Sequence, residues 1–352
     1  MPDLRRCRNP GTELYARPRW RRCPSRTYRA AGRRPARPGV GRRTDDHGGW
    51  GMNEPALNGM AQTEHDRKKP LLRPGNTNCG GCGMSIALQM LSRAIAGQPV
   101  QLVVPACCGA VAVGNYPFSS FGAPVVMSTF ACSAAVAGGL ARVAALNGEE
   151  TRVICWAGDG GTYDIGMGAL SAAAERNEDI LYICYDNEIY GNTGGQRSSA
   201  TPLGAATTST PTGKPEVKKE ILAIMAAHRI PYAASVSLAH PEDTLCKLRL
   251  ALEMRGFRFL HILSPCPTGW KSEPSHGIQL IRLAVRSGLF PVLEIRDGRQ
   301  MTINVEPDFS DLALAEYLAM QGRFRKSGVT AMVLRDAIRR HWETLRSAPT
   351  GD

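Results

Sequence analysis

Gly158-Asp159-Gly160-Gly161 directly follows an apolar run at residues 153–157, and a second apolar run at 180–185 flows into Asp186-Asn187. That stretch constrains the fold more than any other. Both runs are short, rich in β-branched, aromatic and other apolar residues, and unbroken by polar positions, as in strands buried on both faces. Between them, residues 165–176 are helix formers, with Met167, Leu170 and Ala174 spaced along one side. Strand, helix and strand in that order form a βαβ unit, whose strands run parallel. The alternation continues along the chain. Strands are expected at 101–105, 125–129, 232–236 and 257–263, and helices at 85–94, 131–146, 217–228, 241–254 and 274–287. The fold class is α/β, a doubly wound, mostly parallel sheet.

In such a sheet Asp159 and Asn187 fall at the carboxyl ends of adjacent strands, where open α/β sheets bind ligands. The glycines beside Asp159 let the backbone approach a phosphate, and the helix that follows offers free N–H groups. Asp159 and Asn187, 28 residues apart, supply oxygen ligands on two sides of a small cleft, suited to a hard cation holding a diphosphate. The bland alternative is two ordinary turns of a Rossmann-like sheet. The G-x-G-x-x-G spacing of a dinucleotide site is not met at Gly158.

Charge is unevenly spread. Residues 1–51 hold 14 Arg and no Lys against four acids, a net +10 of the chain's +12. The other 301 residues are nearly neutral, which removes any charge argument for nucleic-acid binding there. Residues 1–60 read as a disordered Arg/Pro/Gly-rich extension. A transit peptide and a nucleic-acid-binding arm are weighed against translation from Met52 or Met60, and the last is favoured. No apolar stretch reaches the ~18–20 residues of a membrane span, and a cytoplasmic protein is expected.

Eleven cysteines in such a chain do not read as disulfides. Cys79 and Cys82 form a C-x₂-C in a glycine-rich turn before a helix. Cys107-Cys108 and Cys266 each lie just past an expected strand. Such thiols converge on structural zinc, a thioredoxin-type pair or a [4Fe–4S] cluster with scattered ligands; inert cysteines are the fourth reading. Cys132, Cys155, Cys184 and Cys246 lie in apolar patterns and read as buried small hydrophobes. His228, His240, His261 and His276 show no metal spacing and read as structural or surface residues. Lys214, Lys218 and Lys219 read as a solvated face.

Tyr163-Asp164-Ile165-Gly166, Tyr185-Asp186-Asn187-Glu188, Tyr190-Gly191-Asn192-Thr193-Gly194-Gly195-Gln196-Arg197-Ser198 and Thr201-Pro202-Leu203-Gly204-Ala205 together resemble the thiamine-binding β subunit of the 2-oxoacid:ferredoxin oxidoreductases, typified by pyruvate:ferredoxin oxidoreductase. The resemblance covers residues 74–298 and implies a diphosphate-domain sheet. It implies Mg²⁺ on Asp159, Asn187 and the carbonyl of Ile189. It also implies thiamine diphosphate along Gly158, Gly160, Gly161, Asn192, Thr193, Gly194 and Gln196. A [4Fe–4S] cluster is implied on Cys79, Cys82, Cys108 and Cys266. The family has a single cysteine after Ala-Thr-Gly where this chain has Cys107-Cys108. Alignment on Tyr116-Pro117 favours Cys108, and Cys107 stays an alternative.

The implied activity is oxidative decarboxylation of pyruvate or a related 2-oxoacid. Thiamine carries the carbon chemistry, iron–sulfur clusters take single electrons, and coenzyme A takes the acyl group. Asn192 would contact the reacting carbon, and the Cys108 cluster would be the first electron acceptor. No pyrimidine-activating half and no C-x₂-C-x₂-C-x₃-C-P run is present. The resemblance therefore implies α, γ and δ-type subunits and a ferredoxin acceptor. Alternatives are a cluster-free thiamine-dependent decarboxylase or carboligase, and a same-family enzyme for oxalate or phenylglyoxylate. Residues 198–215 are expected to be a functional loop without secondary structure, and residues 299–352 a helical tail.

Overall fold

A computed structural model describes residues 70–114, 117–327 and 329–347. The expected extension over residues 1–60, Met52, Met60 and Tyr116 lie outside them.

The apolar runs become one sheet of eight strands among the described residues: β1 Val100–Val104, β2 Val125–Met127, β3 Arg152–Gly158, β4 Ile180–Asp186, β5 Tyr232–Ser237, β6 Arg258–Leu263, β7 Val292–Arg296 and β8 Gln300–Val305. The spatial order is β2-β1-β3-β4-β6-β5-β7-β8. The first six strands are mutually parallel, and β7 and β8 are antiparallel. The helices are α1 Gly83–Ile95, α2 Ser133–Leu146, α3 Met167–Glu175, α4 Ile221–Ala227, α5 Pro241–Glu253, α6 Pro267–Trp270, α7 Gly277–Arg286, α8 Asp311–Ala319 and α9 Ala331–Ser347.

β3, β4 and β6 are buried along nearly their whole length, because helices cover both faces. On one face Ile154, Trp156 and Ile183 pack with Leu88 of α1, Leu248 of α5 and Ile281 of α7. On the other, Cys155, Tyr182 and Cys184 pack with Ala137 of α2, Leu170 of α3 and Met225 of α4. Leu88, Ile154 and Leu248 are wholly buried, and each such side chain contributes roughly 2 kcal/mol.

The structure departs from expectation in three places. The chain around residue 298, taken as the end of the sheet, is the hairpin β7–β8, and the expected boundary between 298 and 299 falls in its turn. Glu294, Arg296 and Arg299 gave the pair a loop-like composition, yet Asp297-Gly298, both at positive φ, is a strong hairpin signal. The helix expected at 217–228 contracts to α4, because Lys218 and Lys219 are drawn into contacts with the site. Cys132 is exposed rather than buried, standing just before the first residue of α2.

Residues 198–215 contain no helix or strand, as expected. No helix among the described residues is long and apolar enough to cross a membrane.

Candidate functional site

The carboxyl ends of β1, β3, β4 and β6, four consecutive neighbours in the sheet, carry Cys107-Cys108, Asp159, Asn187 and Cys266. β3 ends at Gly158, and Asp159 leads into a wide π-type turn, Gly160–Asp164. Gly160 is required here: a Cβ would lie 2.2 Å from the Tyr190 ring. Asp159 is buried and accepts the Ser198 hydroxyl at 2.5 Å.

β4 ends in a turn whose central residue, Glu188, has φ 63°. That conformation folds Asn187 and Ile189 back toward Asp159. The Asn187 Oδ1 lies 2.9 Å from the Ile189 carbonyl oxygen and 3.0 Å from Asp159 Oδ1. The Ile189 N–H donates to Asn187 Oδ1 at 3.4 Å, and the two other oxygens near that amide end are acceptors. Turning the amide over would place its N–H among them; a dication would use the oxygens as they stand. A carboxylate, an amide oxygen and a main-chain carbonyl are hard donors, so the set fits Mg²⁺.

Behind the turn lies a buried chain of charges. Lys218 Nζ lies 2.5 Å from Asp186 Oδ2 and 3.1 Å from Glu188 Oε1. Arg323 Nη2 donates to Glu188 Oε2 at 2.7 Å. His261 Nε2 and the Tyr163 hydroxyl reach Asp186 Oδ2 at 2.7 and 3.1 Å. Burial alone would push the Asp186 carboxyl up, but Lys218 and His261 overcome this and hold it below the ordinary range. Lys218 is likewise raised despite burial, by Asp186 and Glu188. Burial pushes His261 down, toward the neutral ring. Asp159 is raised well above an ordinary carboxylate, first by burial and then by Asp186. An anionic corner that holds a proton in the absence of a cation is suited to receiving one.

The expected solvated lysine face is met by Lys219, whose side chain is 44% exposed, and is corrected for Lys214 and Lys218. Lys214 is buried, with Nζ donating to the carbonyls of Ser199 and Thr201 at 3.1 and 2.8 Å. Lys219 donates to the Tyr163 carbonyl at 2.5 Å. Burial, aided by Arg197, brings Lys214 down to about 8.

A cavity of about 290 Å³ opens over this corner. Of the predicted residues, Gly158, Asp159, Gly160, Gly161, Asn187, Ile189, Asn192 and Thr193 line it. Gly194 and Gln196 do not. Gln196 stands at the base of the loop, where its Nε2 donates to the Thr193 carbonyl at 2.7 Å and Tyr190 N donates to its own carbonyl at 3.0 Å. Cys108 and its alternative Cys107 line the cavity as well, whereas Val111, Phe130, Tyr185 and Tyr190 are lining residues that the sequence reading missed. The two tyrosines stood inside the quoted motifs, whereas Phe130 and Val111 carried no signal.

The four predicted thiols gather beside the cavity. Gly83 N donates to the Pro265 carbonyl at 2.9 Å, joining the Cys79–Cys82 turn to the Cys266 turn. Gly81 has φ 76°, and a Cβ there would lie 2.2 Å from the Pro274 carbonyl oxygen. Cys266 Sγ accepts the Gly269 N–H at 3.3 Å. Burial pushes the Cys82 thiol up against the N–H groups of Met84 and Ser85 that favour the thiolate, and Cys79 raises it further. Cys108 rises to about 12 through burial and then Cys107, Cys266 and Cys82. Cys266 rises to about 11 through burial, with Cys82 and Cys79 adding to it. Cys82, Cys108 and Cys266 thus lie near one another, with Cys79 beside Cys82 and Cys266. Cys107 lies beside Cys108 and also meets the Tyr185 hydroxyl and Gly158. Among the described residues, no three of His, Cys, Asp and Glu are grouped to hold a single metal ion. Cys108 Sγ lies 3.4 Å from Asn192 Oδ1, which joins the thiol group to the cavity.

Known proteins are similar to this chain. A family model described as the C-terminal TPP binding domain of thiamine pyrophosphate enzymes matches residues 107–262. The ketoisovalerate oxidoreductase subunit VorB of Pyrococcus horikoshii is 42% identical over 286 residues, covering 77% of this chain and 91% of that protein. The pyruvate synthase subunit PorB of Methanothermobacter marburgensis is 40% identical over 264 residues, 73% of this chain and 91% of that one. The structure of 2-oxoglutarate:ferredoxin oxidoreductase from Magnetococcus marinus shares the fold, with a TM-score of 0.52 at 21% identity over 79% of this chain and 95% of that chain. A thiamine corner at the carboxyl edge and relatives matched over most of their length lead to one assignment: the chain belongs to the 2-oxoacid:ferredoxin oxidoreductases, as their thiamine-diphosphate-binding β-type subunit.

Proposed function

We propose that this chain binds thiamine diphosphate through Mg²⁺ held by Asp159, Asn187 and the Ile189 carbonyl. It also carries a [4Fe–4S] cluster on Cys79, Cys82, Cys108 and Cys266. In complex with α, γ and δ-type subunits it acts in the oxidative decarboxylation of pyruvate or a related 2-oxoacid, with coenzyme A as acyl acceptor and a ferredoxin as electron acceptor. The observation that carries this reading is the convergence of Asp159, the Asn187 amide and the Ile189 carbonyl, the amide end 2.9 Å from Ile189 O and 3.0 Å from Asp159 Oδ1, on a cavity that Cys108 and Asn192 also line.

Bound thiamine supplies a nucleophilic carbon and an electron-rich adduct, and the cluster removes electrons singly. The chain's own residues orient and shield. Gly160 and Gly161 let the Tyr190 and Phe130 rings pack against the turn that follows Asp159. Tyr190 and Phe130 wall off that corner, their rings 6.1 Å apart. Asn192 reaches Cys108 Sγ from the cavity wall, a position from which its amide contacts both the substrate side and the thiol side. The thiols, high in their pKa while metal-free, give up their protons on iron binding.

Relatives named for pyruvate and for ketoisovalerate are about equally similar to this chain, so both 2-oxoacids stand as proposed substrates. The test is anaerobic purification with iron, sulfide, thiamine and magnesium analysis of wild type, Cys108→Ala and Cys107→Ala. About four irons per chain, lost in Cys108→Ala and kept in Cys107→Ala, is the expected result. A colourless wild type that binds thiamine diphosphate would remove the cluster and favour a cluster-free decarboxylase or carboligase.

A further inference from the structure

The C-terminal segment after β8 carried no interpretable motif, yet it sends one side chain into the centre of the site. Arg323 is buried and 135 residues in sequence from the acid it meets. Its Nη2 donates to Glu188 Oε2 at 2.7 Å and to the Tyr317 hydroxyl at 3.1 Å, and its Nε donates to Gln321 Oε1 at 2.8 Å. The guanidinium face lies 4.4 Å from the centre of the Trp270 ring. The Trp270 indole N–H in turn donates to the Asn187 carbonyl at 2.9 Å.

Trp270 belongs to the short helix that begins after Cys266, and its amide donates to the Cys266 carbonyl at 2.7 Å. Gly269, one residue earlier, is pressed against the cation turn: a Cβ there would lie 2.7 Å from Ile189 Cγ2 and 3.2 Å from Cys266 Sγ. One guanidinium therefore grips both turns. Its edge fixes Glu188, the residue whose φ of 63° brings Asn187 and Ile189 together. Its face fixes Trp270, which holds the other side of Asn187 and the turn of Cys266. A non-glycine residue at positive φ persists only where its surroundings over-determine it, and Glu188 is held by Lys218, Arg323 and the Asp186 carboxylate that accepts its N–H at 2.9 Å.

We infer that Arg323 is a positioning residue that sets the geometry of the cation-binding turn Asn187–Ile189 and couples it mechanically to the Cys266 turn through Trp270. Lysine cannot replace it, since an ammonium has neither the planar face nor the forked donors used here. The inference rests on the reading that Asp159, Asn187 and Ile189 hold Mg²⁺.

The test uses the purified complex, stripped of thiamine diphosphate, with Arg323→Gln, Arg323→Lys, Glu188→Gln and Leu314→Ala in this chain. Mg²⁺-dependent thiamine diphosphate binding is measured by calorimetry, with thermal stability and iron content in parallel. Arg323→Gln is expected to weaken Mg²⁺–thiamine diphosphate binding by about ten- to hundredfold, the usual range for residues that orient a metal ligand. Glu188→Gln should lose a similar factor, and the double variant no more than the worse single one, because both break the same grip. Leu314→Ala, a packing change in α8, should lower thermal stability and leave the affinity unchanged. If Arg323→Gln does not assemble, Arg323→Lys serves, with a loss of several-fold expected.

Wild-type affinity in whichever arginine variant assembles, or additive losses in the double variant, would overturn the coupling. Loss of affinity in Leu314→Ala equal to that of the arginine variant would reduce Arg323 to general packing. A wild-type complex that binds thiamine diphosphate without any divalent cation would instead refute the Mg²⁺ assignment, an outcome read from wild type alone.

Discussion

The same three strands end in charge clusters at both edges of the sheet, and the two clusters are built differently. At the amino edge Arg152 opens β3, Asp179 precedes β4, and Arg258 opens β6. Arg258 is wholly buried and pairs with Asp179, which also takes Arg255 at 2.9 Å. Burial brings the Arg258 guanidinium down to about 10 despite Asp179. One partly exposed carboxylate serves two guanidiniums, and the Ala251 and Gly256 carbonyls also accept from Arg258. At the carboxyl edge Asp186, Lys218, Glu188 and Arg323 alternate in sign, their side chains all at most 22% exposed. Those four satisfy one another, and the oxygens of Asp159, Asn187 and Ile189 turn toward one corner, where Asp159 Oδ2 also accepts the Ser198 hydroxyl. The first cluster is a brace; the second balances itself behind a corner that can bind.

The widest separation between the edges should appear in cofactor binding. Asp159→Ala removes a ligand oxygen and should lower Mg²⁺–thiamine diphosphate affinity by more than about a hundredfold, beyond the range for residues that only orient ligands. Asp179→Ala should leave that affinity at the wild-type value. Calorimetric titration of both variants checks this, and an equal loss in Asp179→Ala would collapse the distinction between the edges.

Stability separates them less widely and in a different way. Lys218→Met leaves two buried carboxylates facing each other with only His261, Tyr163 and Arg323 to offset them, and should cost about 3 kcal/mol. Asp179→Ala leaves Arg258 bonded to the Ala251 and Gly256 carbonyls and, with Asp179 partly exposed, should cost about 1 kcal/mol. Urea unfolding of the two variants measures both. A larger loss at the amino edge would mean that the carboxyl-edge chain is not the buried network that its geometry describes.

The brace and the binding corner were unequally legible in the sequence. Asp159, Asn187 and the strand runs before them were legible because buried parallel strands and glycine turns are local patterns. The thiols were legible as a group because each follows a strand end or a C-x₂-C turn, and the geometry turns Cys108 toward Asn192 and Cys107 toward Tyr185. The supporting charges were not. Lys218 has the composition of a surface residue, and only its meeting with Asp186 and Glu188 across the β4–α4 connection reveals a buried ion pair. Arg323 meets Glu188 through the tertiary fold alone, from a segment with no motif. Strand β7 and the edge strand β8 were lost for a related reason: Glu294 and Arg296 in β7 and the largely solvated β8 give a loop-like composition until Asp297-Gly298 is read as a turn.

The smallest effect concerns pH and ties the binding corner to its ion. In the unfolded chain Asp159 titrates near the ordinary 3.8, whereas burial and Asp186 raise it well above that in the folded, cation-free protein. Below 3.8 both states carry the proton. As pH rises above 3.8, the unfolded chain loses its proton first, so stability falls until the folded carboxyl also ionises. Asp186 acts in the opposite sense and in another window: held low, it adds stability above 3.8 that is lost only as pH falls below that value. Saturating Mg²⁺ replaces the Asp159 proton, so the decline above 3.8 should vanish and binding should release up to one proton per site. Unfolding free energies from about pH 4 to about pH 8, with and without Mg²⁺, should therefore converge at the acid end and separate as pH rises. Asp159→Asn, which cannot titrate, should show neither the decline nor the separation. A Mg²⁺ effect of constant size across the range, or one that survives in Asp159→Asn, would place the cation elsewhere and leave the carboxyl edge with a second brace in place of a binding corner.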